Sequence, residues 1–265
     1  MAKFLGIGLL ALSACQYSER GATCAVGVGI KTQAYNGANL ASNQLVLTFD
    51  GGPSDAQAAI GDYLFASDVQ GTFFVDGANI SSSDHAATLV GLKSHAHLVG
   101  NGGYTQTSLA QSHDPEREVR KTDQLILPYV TGDMFLLRSK GDVTAETVNR
   151  LNAAGLSRYV GPIGWDVGAR PSALVQDDDC WLRNLGVADC ANGYLAAIRA
   201  QTSGIVRMHA DDQRTANMLR LILPQLKVEK FTFLRLDAVP AVQDALLQSG
   251  GKPGTQGGAP GCNEY

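Results

Sequence analysis

From Leu45 onward, short apolar runs alternate along the chain with stretches of helical spacing. The run from Leu45 to Phe49 predicts a buried strand, and Ser54 is placed to cap a helix over residues 54–65. Further strands are predicted at residues 72–75, 97–100, 134–137, 159–161, 204–208 and 231–236. The helices predicted between them lie at residues 84–93, 116–127, 145–154, 193–201 and 215–225. Strands that alternate with helices are typical of a parallel sheet with crossover helices, and a count of about seven units predicts a distorted (β/α) barrel.

The amino terminus has the pattern of an export signal. Lys3 gives a short positive start, and residues 4–12 form an apolar run far shorter than the roughly 20 residues that span a bilayer. The run ends in Leu12-Ser13-Ala14-Cys15, which resembles the bacterial lipobox, whose cysteine is acylated. We therefore expect residues 1–15 to be a lipoprotein signal peptide and Cys15 to anchor the protein in the cell envelope, at the outer membrane or in the periplasm if the source is Gram-negative. The alternative is an ordinary signal peptide in which Cys15 is incidental.

Composition divides the rest of the chain into three parts. Residues 16–43 are polar and rich in Gly, Ala and Asn, and we interpret them as a tether and a first loop. Residues 44–245 hold the alternating elements of the barrel. Residues 246–265 form a tail rich in Gly and Pro.

The overall composition favours an exported globular domain. Of the 265 residues, 45% are hydrophobic and 17% are charged, so the chain can bury a sizeable core and does not belong to the disordered class. The formal net charge of −4 gives no basic surface for nucleic acid and no basic run for a membrane surface. We expect a monomer whose membrane attachment is the lipid anchor alone.

Four cysteines remain besides Cys15, and an even number in an exported chain predicts two disulfides among three possible pairings. Cys180 and Cys190 would close a short local loop, while Cys24 and Cys262 would tie the two ends of the domain together. Buried free thiols are the alternative, which an oxidising compartment disfavours. The spacings match no zinc finger or zinc ribbon.

Four segments carry motifs in a characteristic order. They are Thr48-Phe49-Asp50-Gly51-Gly52-Pro53, then Gly71-Thr72-Phe73-Phe74-Val75 with Asn79, then Gly204-Ile205-Val206-Arg207-Met208-His209, and last residues 231–240. In this order they resemble the polysaccharide deacetylase family, also called the NodB-homology family or carbohydrate esterase family four. The likeness covers about residues 44–240 and implies a distorted (β/α)7 barrel with its site at the carboxyl ends of the strands.

The resemblance also implies a divalent metal, whose ligand positions are altered in this chain. In the family the ion, usually zinc, is held by the second Asp of the first motif and by two His of a later motif, where it polarises the acetamide carbonyl and activates a water. Here the three positions are Gly51, Gly102 and Gln106. Glycine has no side-chain donor and an amide is a poor zinc ligand, so we expect no metal at the usual place and no other cofactor. Zinc would bind only at a substitute site, for which His95 and His97 are badly placed because alternate strand residues point to opposite faces.

The family's site residues that do not bind the metal are matched more fully in this chain than the metal ligands are. By the resemblance, Asp50 is the general base, which Arg138 orients, and His209 is the general acid. Asp177 supports His209, although two further Asp residues that follow it leave this register open. The alternatives are a structural ion pair between Asp50 and Arg138 and a satisfied core histidine at His209.

Three aromatic residues are candidates for stacking on sugar rings: Trp165, Trp181 and Tyr104. Trp181 follows Asp177 at the D-x-x-x-W spacing that the family uses to line its groove. Core packing is the alternative for each of them. Lys140 stands where the family has a proline, so the loop after Arg138 has diverged.

These residues allow three functions. The first is a hydrolase that removes acetyl groups from an N-acetylated cell-envelope glycan, peptidoglycan or chitin-like, without the usual metal triad; backbone amides around Gly51-Gly52 or Gly102-Gly103 would then stabilise the oxyanion. The second is a catalytically inactive pseudoenzyme that binds glycan. The third is a different amide hydrolase that acts on small cyclic amides, a reading that an exported lipoprotein fits poorly.

Overall fold

The computed structural model describes residues 29–105, 107–168 and 176–254. Its strands are Ile30–Tyr35 (β1), Gln44–Asp50 (β2), Thr72–Val75 (β3), Leu98–Asn101 (β4), Gly161–Ile163 (β5), Gly204–His209 (β6) and Thr232–Phe233 (β7). Its helices are Asp55–Ala66 (α1), Ser83–Ser94 (α2), Pro115–Ile126 (α3), Ala145–Leu151 (α4), Asp177–Leu182 (α5), Val187–Gln201 (α6), Gln213–Val228 (α7) and Pro240–Gln248 (α8).

The strands form a parallel arrangement in which β2 is central. The main sheet has the order β4-β3-β2-β6, with β7 paired to the start of β2, and β1 pairs separately with β5. Three single bridges lie outside these strand pairs: Asn101 with Leu137, Leu136 with Val160, and Val167 with Val206. The α/β class expected from the sequence is confirmed, and the carboxyl ends of β2, β3, β4 and β6 meet on one side of the molecule.

Strand alternation decides what β2 presents on each face. Leu45, Leu47 and Phe49 pack with α1 and α7 in the largest hydrophobic cluster, whereas Val46 belongs to a second cluster on the other face of the sheet. Because successive side chains point to opposite faces, Thr48 and Asp50 lie on the same face of β2 as Val46. Both of these polar residues are buried. The carboxylate therefore ends a buried strand, where it needs polar partners.

Helices start where side chains can satisfy their first backbone N–H groups. Ser54 accepts a hydrogen bond from the N–H of Gln57, as predicted, and Asp212 accepts one from the N–H of Arg214. Ser82, Asp114 and Thr144 cap α2, α3 and α4 in the same way. These caps fix where each helix leaves the loop that follows the preceding strand.

Several elements differ from the sequence expectations. Residues 30–35, placed in the tether and first loop, form β1; its four central residues are exposed, so they carry no apolar signal. The strand expected at residues 134–137 is reduced to bridges at Leu136 and Leu137. The helices α5 and α8 were not predicted, and α6 begins six residues earlier than expected.

The predicted bond between Cys180 and Cys190 is confirmed, and it joins α5 to α6 with Cα atoms 6.0 Å apart. Cys15, Cys24, Cys262 and the signal segment lie outside the described residues. None of the helices in the described ranges has the length and apolar content needed to cross a bilayer.

Candidate active site

Asp50 lies at the carboxyl end of β2 between two guanidinium groups. Its Oδ1 accepts from Arg138 Nη1 at 2.9 Å and its Oδ2 from Arg207 Nε at 2.8 Å. Burial raises the pKa of Asp50, but the charges of Arg138, Arg207 and His209 outweigh it and bring the pKa down to about 2. Asp50 is therefore ionised throughout the physiological pH range, and each of its two carboxylate oxygens accepts a hydrogen bond from an arginine.

Arg138 is locked in place by its buried surroundings. It donates to Thr48 Oγ1 at 2.9 Å and to the carbonyls of Ile163 and Gly164, both at 3.0 Å. Its guanidinium lies 4.3 Å from the centre of the Phe74 ring. The side chain is only 2% exposed, so Asp50 is the counter-ion that makes its burial tolerable. The structure thus places Arg138 against Asp50, as the sequence predicted.

His209 ends β6 and is held by a buried carboxylate. Its Nδ1 lies 2.8 Å from Asp177 Oδ1, and its backbone N–H donates to Asp177 Oδ2 at 2.7 Å. The hydroxyls of Thr215 and Tyr194 donate to the same carboxylate at 2.8 and 3.2 Å. Burial lowers the pKa of His209, but the hydrogen bond and charge of Asp177 outweigh burial, so the pKa lies above its ordinary value. Of the three consecutive Asp residues, Asp177 is the one that binds His209 Nδ1.

Arg207 joins these two groups. Its Nε binds Asp50, and its Nη2 lies 2.9 Å from His209 Nε2. A guanidinium can only donate, so Nε2 accepts this bond and the proton of the neutral ring sits on Nδ1, facing Asp177. The guanidinium also lies 4.2 Å from the centre of the Trp165 ring. Sequence reasoning missed Arg207, although its position two residues before His209 on one strand puts both on the same face.

Asp50 and His209 open into a cleft of about 740 Å³. Its walls include Lys140, Trp165, Trp181 and Arg207. Trp165 is partly exposed, whereas Trp181 is 8% exposed and donates its indole N–H to Thr215 Oγ1 at 3.1 Å.

Tyr104 is not brought to this cleft. It lines a separate depression with Glu118 and Lys121, and the Lys121 ammonium lies 4.2 Å from its ring centre. The structure therefore brings two of the three predicted aromatics together, and Trp165 presents the more accessible surface of the two.

The backbone at Gly51 leaves no room for a side chain. Gly51 has φ of +88°, and a Cβ there would lie 2.0 Å from Asp211 Oδ2. Asp211 follows β6, and its Oδ1 accepts from the N–H of Gly52 at 2.6 Å. A carboxylate from another part of the chain thus fills the space beside Gly51.

Gly102 is similarly enclosed. A Cβ there would lie 2.9 Å from the carbonyl oxygens of Phe74 and Val75, and 3.1 Å from Asp76 Oδ1. Gln106 lies outside the described residues. At both described positions, side chains of the metal-binding type would therefore clash with their surroundings.

Asp76, at the carboxyl end of β3, carries a lysine partner. Lys140 Nζ donates to its Oδ2 at 2.8 Å, and the carboxylate side chain is only 2% exposed. Burial raises the pKa of Asp76 to about 6 although Lys140 lowers it, and the charges of Asp211 and Asp50 add to the rise. The charges of Asp211 and Asp50 thus act on Asp76, and Lys140 is the cation paired with it.

Comparisons with known proteins show which family this chain resembles. The family model described as polysaccharide deacetylase matches residues 37–159. The chain resembles the polysaccharide deacetylases in sequence and in fold. A chitin deacetylase of Arthroderma benhamiae is 27% identical over 92 residues, which is 34% of this chain and 25% of that protein. The matched segment therefore spans about a quarter of the length of that curated relative.

Solved polysaccharide deacetylase structures match most of the described domain. The chitin deacetylase of Colletotrichum lindemuthianum superposes with a TM-score of 0.58 at 20% identity, covering 79% of this chain and 90% of that one. The peptidoglycan deacetylase PdaC of Bacillus subtilis gives 0.59 at 18% identity, covering 77% and 92%. At such identities the likeness establishes the fold, and the expected polysaccharide deacetylase fold is confirmed.

The metal that the polysaccharide deacetylase resemblance implies does not fit this chain at its usual place. Gly51 and Gly102 offer no donor and have no space for one, and Lys140 already neutralises the neighbouring Asp76. Asp177, Asp178 and His209 do bring donor atoms within 4.8 Å of one another. In that group, however, the Arg207 guanidinium faces His209 Nε2, and its positive charge opposes a bound cation.

Proposed function

We propose that this domain binds an N-acetylated cell-envelope glycan, peptidoglycan or chitin-like, and hydrolyses its acetamide C–N bond without the usual metal triad. The observation that carries the proposal is the placement of Asp50 and His209. They are register partners on adjacent strands, each is fixed by buried partners, and both line one cleft. The polysaccharide deacetylase family match and the fold shared with proteins named chitin deacetylase and peptidoglycan deacetylase support the substrate class.

In this reaction a water adds to the acetyl carbonyl carbon as Asp50 accepts its proton. Once Arg207 has left Nε2, His209 takes up a proton there, and the imidazolium gives that proton to the nitrogen as the C–N bond breaks, which leaves acetate and a free amine on the sugar. Both steps need Arg207 to move, because it occupies Asp50 Oδ2 and His209 Nε2. Gln176 Oε1, 3.4 Å from Arg207 Nη1, offers the guanidinium a second partner.

A second candidate is glycan binding without hydrolysis. The observation that favours it is the same Arg207 contact, which holds the base and the acid in a closed ion-pair network. A carboxylate with a pKa of about 2 is also a weak proton acceptor near neutral pH.

Acetate release from chitin oligomers and peptidoglycan, measured together with binding of the same glycans, separates these candidates. For hydrolysis, we expect acetate release by the wild type that a chelator does not abolish, and that Asp50→Asn and His209→Gln remove without abolishing binding. Binding with no acetate release would establish the second candidate. Neither binding nor release would overturn both.

The proposed substrate class implies that the protein works in the cell envelope. Export through residues 1–15 and lipid attachment at Cys15 belong to the same proposal. Cell fractionation tests this part: Cys15→Ser should move the protein from the membrane fraction to the soluble envelope fraction, and an unchanged distribution would exclude the anchor.

A further inference from the structure

The carboxyl ends of β2, β3 and β4 are joined closely by backbone hydrogen bonds. Gly51 N–H donates to the Phe74 carbonyl at 3.0 Å, and Gly102 N–H donates to the Val75 carbonyl at 2.9 Å. The N–H of Asp76 returns to the Gly52 carbonyl at 3.1 Å. The backbone is therefore fixed here. Asp50 and Asp76 supply charges from the strand ends themselves, and Asp211 and Lys140 supply charges from later in the chain.

Lys140 supplies a positive charge beside these strand ends. It comes from the loop after Arg138, pairs with Asp76, and lines the same cleft as Asp50 and His209. Its side chain is 20% exposed while that of Asp76 is 2% exposed, so the ammonium lies between the buried carboxylate and the cleft. An ammonium has three donors, and the bond to Asp76 uses one of them.

The neighbouring charges keep this ammonium in place. Two further carboxylates, Asp50 and Asp211, lie close enough to Asp76 to raise its pKa, and a cation among them reduces their mutual repulsion. Asp50 is already paired with two guanidinium groups, and Asp211 binds the N–H of Gly52. Lys140 is the cation that both pairs with Asp76 and lines the cleft.

We propose that Lys140 is the fixed cation of this site, and that its ammonium group binds the oxygen of the substrate acetyl group where a divalent ion would otherwise do so. A cation held in advance near the reacting carbonyl stabilises the negative charge that develops on its oxygen. It also favours an acetylated sugar over a deacetylated one, whose amine carries a positive charge. This inference rests on the proposed function, since it assigns the acetyl group to this part of the cleft.

The test is a binding preference measured where hydrolysis is blocked. In the Asp50→Asn background, calorimetry gives the affinities for a chitin oligomer and for the same oligomer fully deacetylated. We expect a preference for the acetylated form that Lys140→Met reduces about tenfold or more, the range for a hydrogen bond from a charged group. Lys140→Arg should keep most of the preference.

Two controls separate a local effect from a general one. Arg214→Met removes another cleft cation, which is paired with Asp212, and should leave the preference unchanged. Asp76→Asn with Lys140→Met removes the cation together with its counter-ion, so neither charge of this pair is left buried without its partner. This double variant should lose the preference as Lys140→Met does.

Each outcome decides something different. If the acetylated oligomer binds and its preference survives both Lys140→Met and the double variant, the role of Lys140 is wrong while the proposed function stands. If wild type and Asp50→Asn bind neither oligomer, the proposed function fails and the inference fails with it. Zinc binding by the wild type that Asp76→Asn or Asp211→Asn abolishes would also overturn the role of Lys140.

Discussion

At the scale of single residues, the positions of charged groups in the cleft depend on Asp50. Two arginines converge on this one carboxylate, one from the segment between α3 and α4 and one from β6, and both bonds are shorter than 3 Å. Arg138 is buried with all its contacts inside the protein, so it is a fixed part of the fold. Arg207 is 16% exposed and also contacts His209, so it is the partner that a substrate can displace.

The lowered pKa of Asp50 makes a prediction about acid stability. A carboxyl whose pKa falls from 3.8 to about 2 on folding adds stability above pH 3.8, and this contribution disappears as the pH falls to about 2. The shift corresponds to about 2 kcal/mol. We expect the difference in unfolding free energy between wild type and Asp50→Asn to shrink by this amount over that range in denaturant titrations. A difference that does not change with pH would contradict the ion-pair description.

The pKa of His209 should move in opposite directions in two variants. Asp177 raises this pKa and Arg207 lowers it. Asp177→Asn should therefore lower the pKa and Arg207→Met should raise it, as measured by NMR titration of the imidazole. His209→Gln identifies the signal by its loss. Shifts of the same sign in both variants would show that the network is arranged differently.

An acidic residue introduced at Gly51 should not create a metal site. Gly51→Asp places a Cβ at φ of +88° and 2.0 Å from Asp211 Oδ2, so both the backbone and Asp211 must shift. We expect a loss of stability of about 1–3 kcal/mol, typical of a strained backbone position, seen as a lower melting temperature. Combining it with Asp211→Gly should recover part of the loss. A Gly51→Asp protein as stable as the wild type would show that Asp211 does not occupy this space.

At the scale of secondary-structure elements, the short helix α5 carries residues of the site and depends on tertiary contacts. It has six residues, too few for a stable helix on its own, yet it carries both Asp177 and Trp181. Three acidic residues in its first turn interact favourably with the helix dipole. The Trp181 indole donates to Thr215 on α7, whose hydroxyl donates in turn to Asp177. Tertiary contacts therefore hold this helix, and with it the carboxylate that positions His209.

The disulfide is expected to contribute to that support. Cys180 and Cys190 close a loop of ten residues, for which the chain-entropy estimate gives about 3 kcal/mol. We expect Cys180→Ala with Cys190→Ala to lower the melting temperature and to lower the pKa of His209, because α5 then holds Asp177 less firmly. Calorimetry and the same NMR titration measure both. If the melting temperature falls while the pKa of His209 stays unchanged, the disulfide stabilises the fold without helping to position Asp177.

At the scale of the whole molecule, the strand ends and the loops after them form one charged cleft with two tryptophans. Trp165 lies over Arg207 and is partly exposed, whereas Trp181 is nearly buried and hydrogen-bonded. Glycan contact is therefore expected at Trp165, and a mainly structural role at Trp181.

This distinction gives a matched pair of variants. Trp165→Ala should weaken chitin oligomer binding about tenfold, the usual scale for one aromatic contact, with little change in melting temperature. Trp181→Phe should instead lower the melting temperature, because it removes the hydrogen bond to Thr215. Calorimetric titration and thermal melts distinguish the two. The opposite result would exchange their roles.

The sequence by itself determined the framework of this protein. The alternation of runs predicted parallel strands and helices, Thr48 to Pro53 located the family motif, and cysteine spacing predicted the bond between Cys180 and Cys190. Local sequence patterns predict these features because each depends on neighbouring residues or on a short loop. Gly51 and Gly102 also led to the prediction, from the sequence alone, that the family's metal positions are altered.

Only the tertiary structure decided which side chains surround Asp50, Gly51 and Asp76. Arg207 binds Asp50 across 157 residues of chain, and Lys140 binds Asp76 across 64. Asp211 fills the space at Gly51 because parallel pairing brings the end of β6 beside the end of β2. Such contacts depend on the register between strands that are distant in sequence, and no local pattern specifies that register. The glycines at the expected ligand positions could be seen in the sequence, whereas the lysine proposed to take the place of the metal could be recognised only after folding placed it beside Asp76.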